Sequence, residues 1–358
     1  MALLGIGLLS WLSLRPPAVF AQGDSVFGTQ VQLVLAEVSA DQARVETNAV
    51  FGLFDQMHKQ LHAWQPSEVM RLNAAIAAGQ PFQASPRLAA ILREARALSM
   101  ASGGLFDPGI SHLVKLWGFE ADQFDGRQPP VAAEIETWRQ RQPSLADLDI
   151  AANGVVNSRN RAVMVDLGGF AKGWALDEAA ALLKSHGVRN ALIDVGGNLM
   201  ALGDKEGEAW TVGLQHPRRA GMLGSIALHC IALHCIALRD GEAIGTSGDY
   251  YRYFRAGGVR YCHIIDPHTG YPAQASQSVT VLADPAPHAG ALSDGASKAP
   301  FITGPGEAGR QARASGVNKL LLVDAAGQVW ATHQMAARIH WRQPKPVVHL
   351  LVLPTKAE

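Results

Sequence analysis

The residues able to do chemistry in this sequence are glycine pairs, a lysine beside one pair, a histidine at a strand end and a carboxylate among small residues. The first pair lies in Val165-Asp166-Leu167-Gly168-Gly169-Phe170-Ala171-Lys172-Gly173-Trp174-Ala175-Leu176-Asp177. Gly168 and Gly169 let a backbone approach a ligand without side-chain hindrance. A helix after them would turn its unpaired amides toward phosphate oxygens, and Lys172 would add a mobile positive charge. Taken alone, the stretch reads equally well as a tight strand-to-helix turn with a solvated lysine. A second pair, Gly196-Gly197-Asn198, ends the apolar strand expected over 191–195 and again suits close backbone approach. Thr246-Ser247-Gly248 offers small hydroxyls in what reads as a tight turn. His263 and Asp266 stand near the end of a strand that runs into Pro267-His268-Thr269-Gly270. A histidine so placed can act as general base toward a hydroxyl nucleophile. A lone histidine is more often structural, and His268 is read that way. Trp64 suits either stacking on an aromatic ligand or core packing.

These groups need elements to hold them. Ser39-Ala40-Asp41-Gln42 forms a capping box, and Val45, Ala49, Leu53, Phe54, Met57 and Leu61 recur at helical spacing behind it. Ser85-Pro86 opens a second helix, with Leu88, Ile91, Leu92, Ala95 and Leu98 as its apolar face and Gly103-Gly104 as its stop. Prolines frame a third helix over 131–141. Strands are expected over 31–35, 162–167, 210–214 and 347–353. Residues 157–160 form a turn between 155–156 and 163–165. A helix over 172–186 would bury Leu176, Ala179, Leu182 and Leu183, and Gly187 would end it. The fold class is therefore α+β: antiparallel sheets carry most of the site, helices pack on them, and a Rossmann fingerprint is lacking.

Length and charge set the outer limits. With 358 residues, 48% of them hydrophobic, the chain can bury a sizeable core in one large domain or two ordinary ones. A formal net charge of zero gives no electrostatic case for nucleic acid as a partner. Residues 3–14 are an apolar run too short for an ordinary membrane span. Pro16-Pro17 breaks it, and Val19-Phe20-Ala21 resembles a small-residue cleavage site. A signal peptide over 1–21 is expected, followed by one domain over 22–358 and an exported, periplasmic location. The basic residues that normally open such a leader are missing; the competing reading is a buried N-terminal helix. Cys230, Cys235 and Cys262 are odd in number and do not indicate a disulfide scaffold. Residues 226–240 hold Ile-Ala-Leu-His-Cys twice, then Ile-Ala-Leu-Arg-Asp. An odd-length repeat in a strand would present opposite faces in successive copies, so a bulge or loop must absorb an extra copy. His229 and His234 with their cysteines are rejected as a metal cluster on the same ground.

Five stretches in order give the chain a specific resemblance. They are Trp64-x-Pro-Ser-Glu-Val-x-Arg-Leu-Asn73, Asp166-Leu-Gly-Gly-Phe-Ala-Lys-Gly-Trp-Ala-Leu-Asp177, Asp194-Val-Gly-Gly-Asn198, Thr246-Ser-Gly-Asp-Tyr250 and His263-Ile-Ile-Asp-Pro-x-Thr-Gly270. The chain resembles the FAD:protein FMN transferase family, also called ApbE. The resemblance implies an ApbE-like, T-fold-like sheet and helix arrangement. It also implies that FAD is cleaved at its diphosphate, that FMN passes to a threonine or serine of an acceptor protein, and that AMP is released. The implied acceptor is an exported domain of a membrane respiratory complex, and the implied metal is a magnesium ion on the diphosphate. Carried over, Gly169 would give a carbonyl to the metal and Lys172 would lie near the phosphates. Gly168, Asp177, Gly196, Gly197, Asn198 and Asp266 would help hold the nucleotide, and Trp64 would stack on it. Thr246, Ser247 and Gly248 would line the flavin or phosphate site, and His263 would be the base.

Two departures stand out. The family's opening Met-Gly-Thr is Phe27-Gly28-Thr29, which bears on flavin packing. Its late metal stretch, often Ala-Asp-Ala-x-Ala-Thr-Ala, is Ser293-Asp294-Gly295-Ala296-Ser297-Lys298-Ala299. Asp294 keeps the carboxylate that a hard cation wants, but position 298 holds a lysine where a threonine ligand is expected. A protonated amine has no lone pair for a metal. Either Ser297 or water compensates, or the ammonium takes over part of the metal's charge. The expectation is reduced or altered magnesium dependence rather than lost activity. Rival functions are an FAD pyrophosphatase using the same site, and a non-catalytic flavin-binding maturation factor.

Overall fold

The computed structural model describes residues 19–121, 123–124, 126–218, 234–341 and 345–354. Two tight hairpins organise its main sheet. Phe27-Gly28 joins β1 (Val19–Val26) to β2 (Thr29–Ala36) with φ of 57° and 66°. Gly196-Gly197 joins β6 (Asn190–Val195) to β7 (Asn198–Leu202) with φ of 62° and 87°. Two successive residues at positive φ match the twist of antiparallel strands, which is why two-residue hairpins favour them. β2 pairs with β6, so the two turns lie side by side. A Cβ on Gly196 would sit 2.6 Å from the Thr29 hydroxyl oxygen.

From β7 the sheet continues through β10 (Ala243–Gly248), β13 (Ser276–Ala283), β14 (Leu320–Asp324) and β15 (Val329–Ala331) to β17 (Val348–Leu350), nine strands in all. Neighbours are antiparallel except β15 and β17. Both faces are buried. Along β2, Val31, Leu33 and Leu35 enter one core, while Val34 and Ala36 enter another. That split is the period-2 alternation of a strand.

The first core lies under helices: α1 (Ala40–Leu61), α2 (Glu68–Ala78), α3 (Pro86–Ala101), α6 (Ala171–Ser185), α7 (Ala289–Gly295), α8 (Lys298–Thr303) and α9 (Pro305–Ala314) all supply residues to it. A small sheet of β3 (Phe82–Gln83), β5 (Val155–Ser158) and β4 (Leu148–Ile150) closes its side. The second core is covered by β8 (Trp210–Leu214), β9 (His234–Leu238) and β16 (Ile339–Trp341), with Met335 from α10 (His333–Ala336). A third, aromatic cluster holds Trp117 and Phe119 after α4 (Ser111–Leu116), Ile135 from α5 (Ala132–Arg141), and Phe254 from the hairpin of β11 (Tyr253–Ala256) and β12 (Val259–Cys262).

The α+β reading holds, and so do the caps. Ser39 accepts from Gln42 N–H, and Ser85 accepts from Leu88 N–H with Pro86 in the first turn. Several local readings change. α2 falls inside the stretch between the first two expected helices; the Ser67 side chain accepts from Met70 N–H, and Val69, Leu72 and Ile76 are buried. On α1 the buried stripe is Ala43, Val50, Phe54, Met57 and Leu61, and Val45 is 55% exposed. Val45 is two positions from Ala43, about 200° around the helix. Residues 162–167 are extended but not a strand: Met164 makes only an isolated bridge, to Ile110. Thr246, Ser247 and Gly248 belong to β10 rather than to a turn.

β1 begins at Val19, so cleavage after Ala21 would remove its first three residues. The expected leader is otherwise outside the described residues. So are Cys230, His229 and most of the pentapeptide repeat; β9 spans the join between its second and third copies and keeps one register with β8. Among the described residues, no helix is long and apolar enough to cross a membrane.

Candidate active site

α6 and α7 cross at two glycines. A Cβ on Gly173 would overlap the Gly290 carbonyl, and one on Gly290 would overlap the Gly173 carbonyl. β10 presses on α7 in the same way, with Gly245 against the Ser293 carbonyl. This approach carries Gly173 N–H to within 3.0 Å of Asp294 Oδ2. Asp177 anchors the start of α7: its two carboxylate oxygens accept from Gly290 and Ala291 N–H, each at 2.8 Å. Burial pushes the Asp177 carboxyl up to about 6, although both of those bonds act to lower it.

Asp294 is 1% exposed and sits beside an ammonium. Lys298 Nζ donates to the Asp294 carbonyl at 2.8 Å and to Asp294 Oδ1. Ser297 Oγ donates to the same carbonyl at 2.6 Å, and its hydroxyl lies 2.6 Å from that of Ser247 on β10. Burial opposes charge on Asp294, yet Lys172 and Lys298 hold its carboxyl below the usual range. Burial lowers the Lys298 ammonium, the Asp294 charge opposes that, and Lys172 adds to it.

Of these groups Lys172, Ser247 and Lys298 border a cavity of about 1450 Å³. Drug-sized ligands occupy about 300–1,000 Å³, so there is room for a dinucleotide. One part of the lining is cationic: Lys172, Arg252 and Lys298 surround His263. Burial together with those three cations pushes the imidazole down to about 3, so the ring is neutral at pH 7. His263 Nδ1 lies 3.3 Å from the Arg252 carbonyl. With the proton on Nδ1, donated to that oxygen, Nε2 keeps the basic lone pair. Another part is aromatic: Phe27, His58, His62 and Trp64. Phe27 stands 5.7 Å from His58, and His58 stands 5.0 Å from His62, both edge to face. Burial, then the neighbouring His62, lowers His58 as well.

Residues 27–321 match the model of the ApbE family. The chain belongs to the ApbE family. It is 41% identical over 88% of its length to an FAD:protein FMN transferase of Rhodobacter capsulatus, but spans only 57% of that protein. It is 32% identical to an FAD:protein FMN transferase of Treponema pallidum, over 76% of each chain. Among solved structures it superposes on the ApbE protein of Thermotoga maritima with a TM-score of 0.77 at 28% identity, covering 90% of this chain and 99% of that one. The apo flavinyl transferase ApbE of Pseudomonas stutzeri gives 0.75 at 28% identity, covering 91% and 98%.

Within this ApbE-family fold the residues singled out in the sequence separate into two sets. Trp64, Gly168, Gly169, Lys172, Gly196 and Gly197 line the cavity, as do Thr246, Ser247, Gly248, His263 and Lys298. Asp177, Asn198, Asp266 and Asp294 do not line it; their side-chain oxygens accept from main-chain amides, a lysine or a turn hydroxyl. Asn198 Oδ1 accepts from Thr246 N–H across the β7–β10 pair at 3.2 Å. Asp266 closes its own turn, accepting from His268 N–H at 2.9 Å and from the Thr269 hydroxyl at 3.1 Å. Several amides at the start of α6, expected to face a ligand, are engaged within the protein. Gly168 N–H donates to Asp166 Oδ1, Ala171 N–H to the Leu167 carbonyl, and Gly173 N–H to Asp294. That end of the helix contributes the Lys172 side chain and an unhindered glycine surface instead.

Sequence reasoning passed over His58, His62, Asp166, Asp194 and Arg252 as lining residues, and Phe27, singled out there for flavin packing, lines the cavity too. Asp166 and Asp194 had a signal: each precedes a glycine turn and accepts a turn amide, Gly168 N–H at 2.8 Å and Gly197 N–H at 2.8 Å. Such Asx turns are readable from Asp-x-Gly spacing. Burial pushes Asp194 up to about 6. Arg252 has no comparable signal, because only the β11–β12 hairpin brings it to His263.

The residues expected to hold a magnesium ion do not fit one. Asp294 Oδ1 and its carbonyl are taken by the Lys298 ammonium, and Oδ2 by Gly173 N–H. Lys298 can only donate. Among the described residues, no group of three or more His, Cys, Asp or Glu is placed to hold a metal.

Proposed function

We propose that this chain is an FAD:protein FMN transferase, attaching FMN by a phosphoester to a threonine or serine of an acceptor protein and releasing AMP. The observation that supports this most directly is the neutral His263 among three cations in a cavity of dinucleotide size. Phosphoryl transfer asks an enzyme chiefly to position groups and neutralise charge. Lys172, Arg252 and Lys298 do the second. The turns at Gly168-Gly169 and Gly196-Gly197 admit the substrate backbone closely, and Phe27 and Trp64 offer faces to its rings. The acceptor hydroxyl gives its proton to His263 Nε2 as its oxygen attacks the FMN phosphorus. The bond from that phosphorus to the bridging oxygen breaks, and AMP leaves with the electron pair. A bound diphosphate offsets the charges that depress His263 and so raises its basicity when the base is needed. Asp294 and Asp177 act as positioning residues, one through Lys298 and the other through α7. None of these steps is routed through magnesium, because its expected donors are engaged by Lys298 and Gly173.

Export to the periplasm and an acceptor in a membrane respiratory complex belong to the same proposal. Their support is the apolar run over 3–14 and the family resemblance. The test is mass spectrometry of a candidate acceptor domain incubated with FAD and this protein. The expected result is an FMN-sized adduct on one threonine or serine, with AMP in solution. FMN and AMP without an adduct would point to pyrophosphatase action, and no turnover to a flavin-binding factor.

A further inference from the structure

The cation expected at Asp294 is already part of the chain. We propose that the Lys298 ammonium replaces a divalent ion at this site, so that FAD binds and is cleaved without one; the inference rests on the transferase reading above. An ammonium has three N–H donors. Two are spent on the Asp294 carbonyl and Oδ1, and Lys298 borders the cavity where a diphosphate would lie. Its side chain is only 14% exposed. Gly169, the other expected metal donor, packs against the same lysine: a Cβ there would be 3.5 Å from Lys298 Cε.

Magnesium requires near-octahedral oxygens at about 2.0–2.1 Å. A divalent ion could reach Asp294 Oδ1 only by expelling the ammonium from this buried place. Gly173 N–H, held by the glycine crossing, keeps Oδ2 engaged as well. The site therefore has a fixed monovalent cation bonded in place, next to Lys172.

The test uses the full chain freed of metal on a chelating resin. FAD affinity is measured by flavin fluorescence in EDTA and in magnesium, and Mn²⁺ binding by electron paramagnetic resonance without FAD. The wild type should bind FAD equally in both buffers, within about threefold, and leave Mn²⁺ free. Lys298→Thr should bind one Mn²⁺ per chain and gain about tenfold or more in FAD affinity from magnesium. Lys298→Met, similar in length but uncharged, should lose FAD affinity in both buffers. A tenfold or greater loss of wild-type FAD affinity in EDTA, about 1.4 kcal/mol, would overturn the inference and leave the transferase reading intact. So would one Mn²⁺ bound per wild-type chain. Failure to bind FAD in every buffer would overturn the transferase reading, and this inference with it.

Discussion

The cationic and aromatic parts of the cavity solve opposite problems. Around Lys298 and Asp294, every charged group is held by a partner: carboxylate by ammonium and amide, ammonium by carboxylate and carbonyl. Around Trp64 the lining is made of aromatic ring faces, and burial lowers His58. The first part is built on helices pressed together to backbone contact. The second is built on a hairpin turn and the C-terminal end of α1. The lesson is one of tolerance: geometry limits the first part, and surface area limits the second. Substitutions at His263 and the glycine crossing should therefore lose chemistry, and those of the ring faces should lose affinity.

His263→Ala is the most severe test. Removing a general base should lower transfer about 10²–10⁴-fold, while FAD titration shows little change in affinity. If affinity falls instead, His263 belongs with the binding groups and the contrast fails. Gly173→Ala comes next. A methyl that meets the Gly290 carbonyl should cost about 1–3 kcal/mol of stability, read as a lower denaturant midpoint. Transfer should fall further than the folded fraction, because Asp294 moves with α7.

Trp64→Ala should weaken FAD binding by about 1–3 kcal/mol, in line with base stacking on aromatic side chains, and leave kcat nearly unchanged. The smallest effect is on pH dependence. The folded His263 pKa of about 3 lies below its ordinary value of 6.5. The unfolded chain therefore binds the extra proton between those values, and stability falls as pH drops through that window. His263→Gln should flatten that part of a stability–pH curve. In wild type, kcat/KM should show no His263 limb at neutral pH, whereas the acid limb of kcat should lie higher, because bound diphosphate raises the imidazole.

Much of this was visible in residue order. Ser39 and Ser85 mark helix starts because a serine oxygen there can accept from an otherwise unpaired first-turn amide. Gly196-Gly197 marks the end of β6, as expected, and both residues have positive φ. The invisible parts share a cause. Asp177, Asn198 and Asp266 are residue types that bind nucleotides, yet here they satisfy main-chain amides or a turn hydroxyl brought close by folding. Type alone does not say which donor reaches a carboxylate first. α2 is harder to read because its buried residues Val69, Leu72 and Ile76 make an apolar stripe of only about two turns. Arg252 carried no such signal, since the β11–β12 hairpin brings it to His263 and folding brings it to Phe119 and Phe124.

The crossing at Gly173 and Gly290 has a wider consequence. Each residue meets the other's carbonyl rather than a side chain, and both already lack a Cβ. A larger residue at one position therefore has no compensating smaller residue at the other. Natural variation at this centre is left with charge as its free variable, and spacing is closed to it. A lysine at position 298, bordering the cavity, is the form of novelty such an arrangement permits.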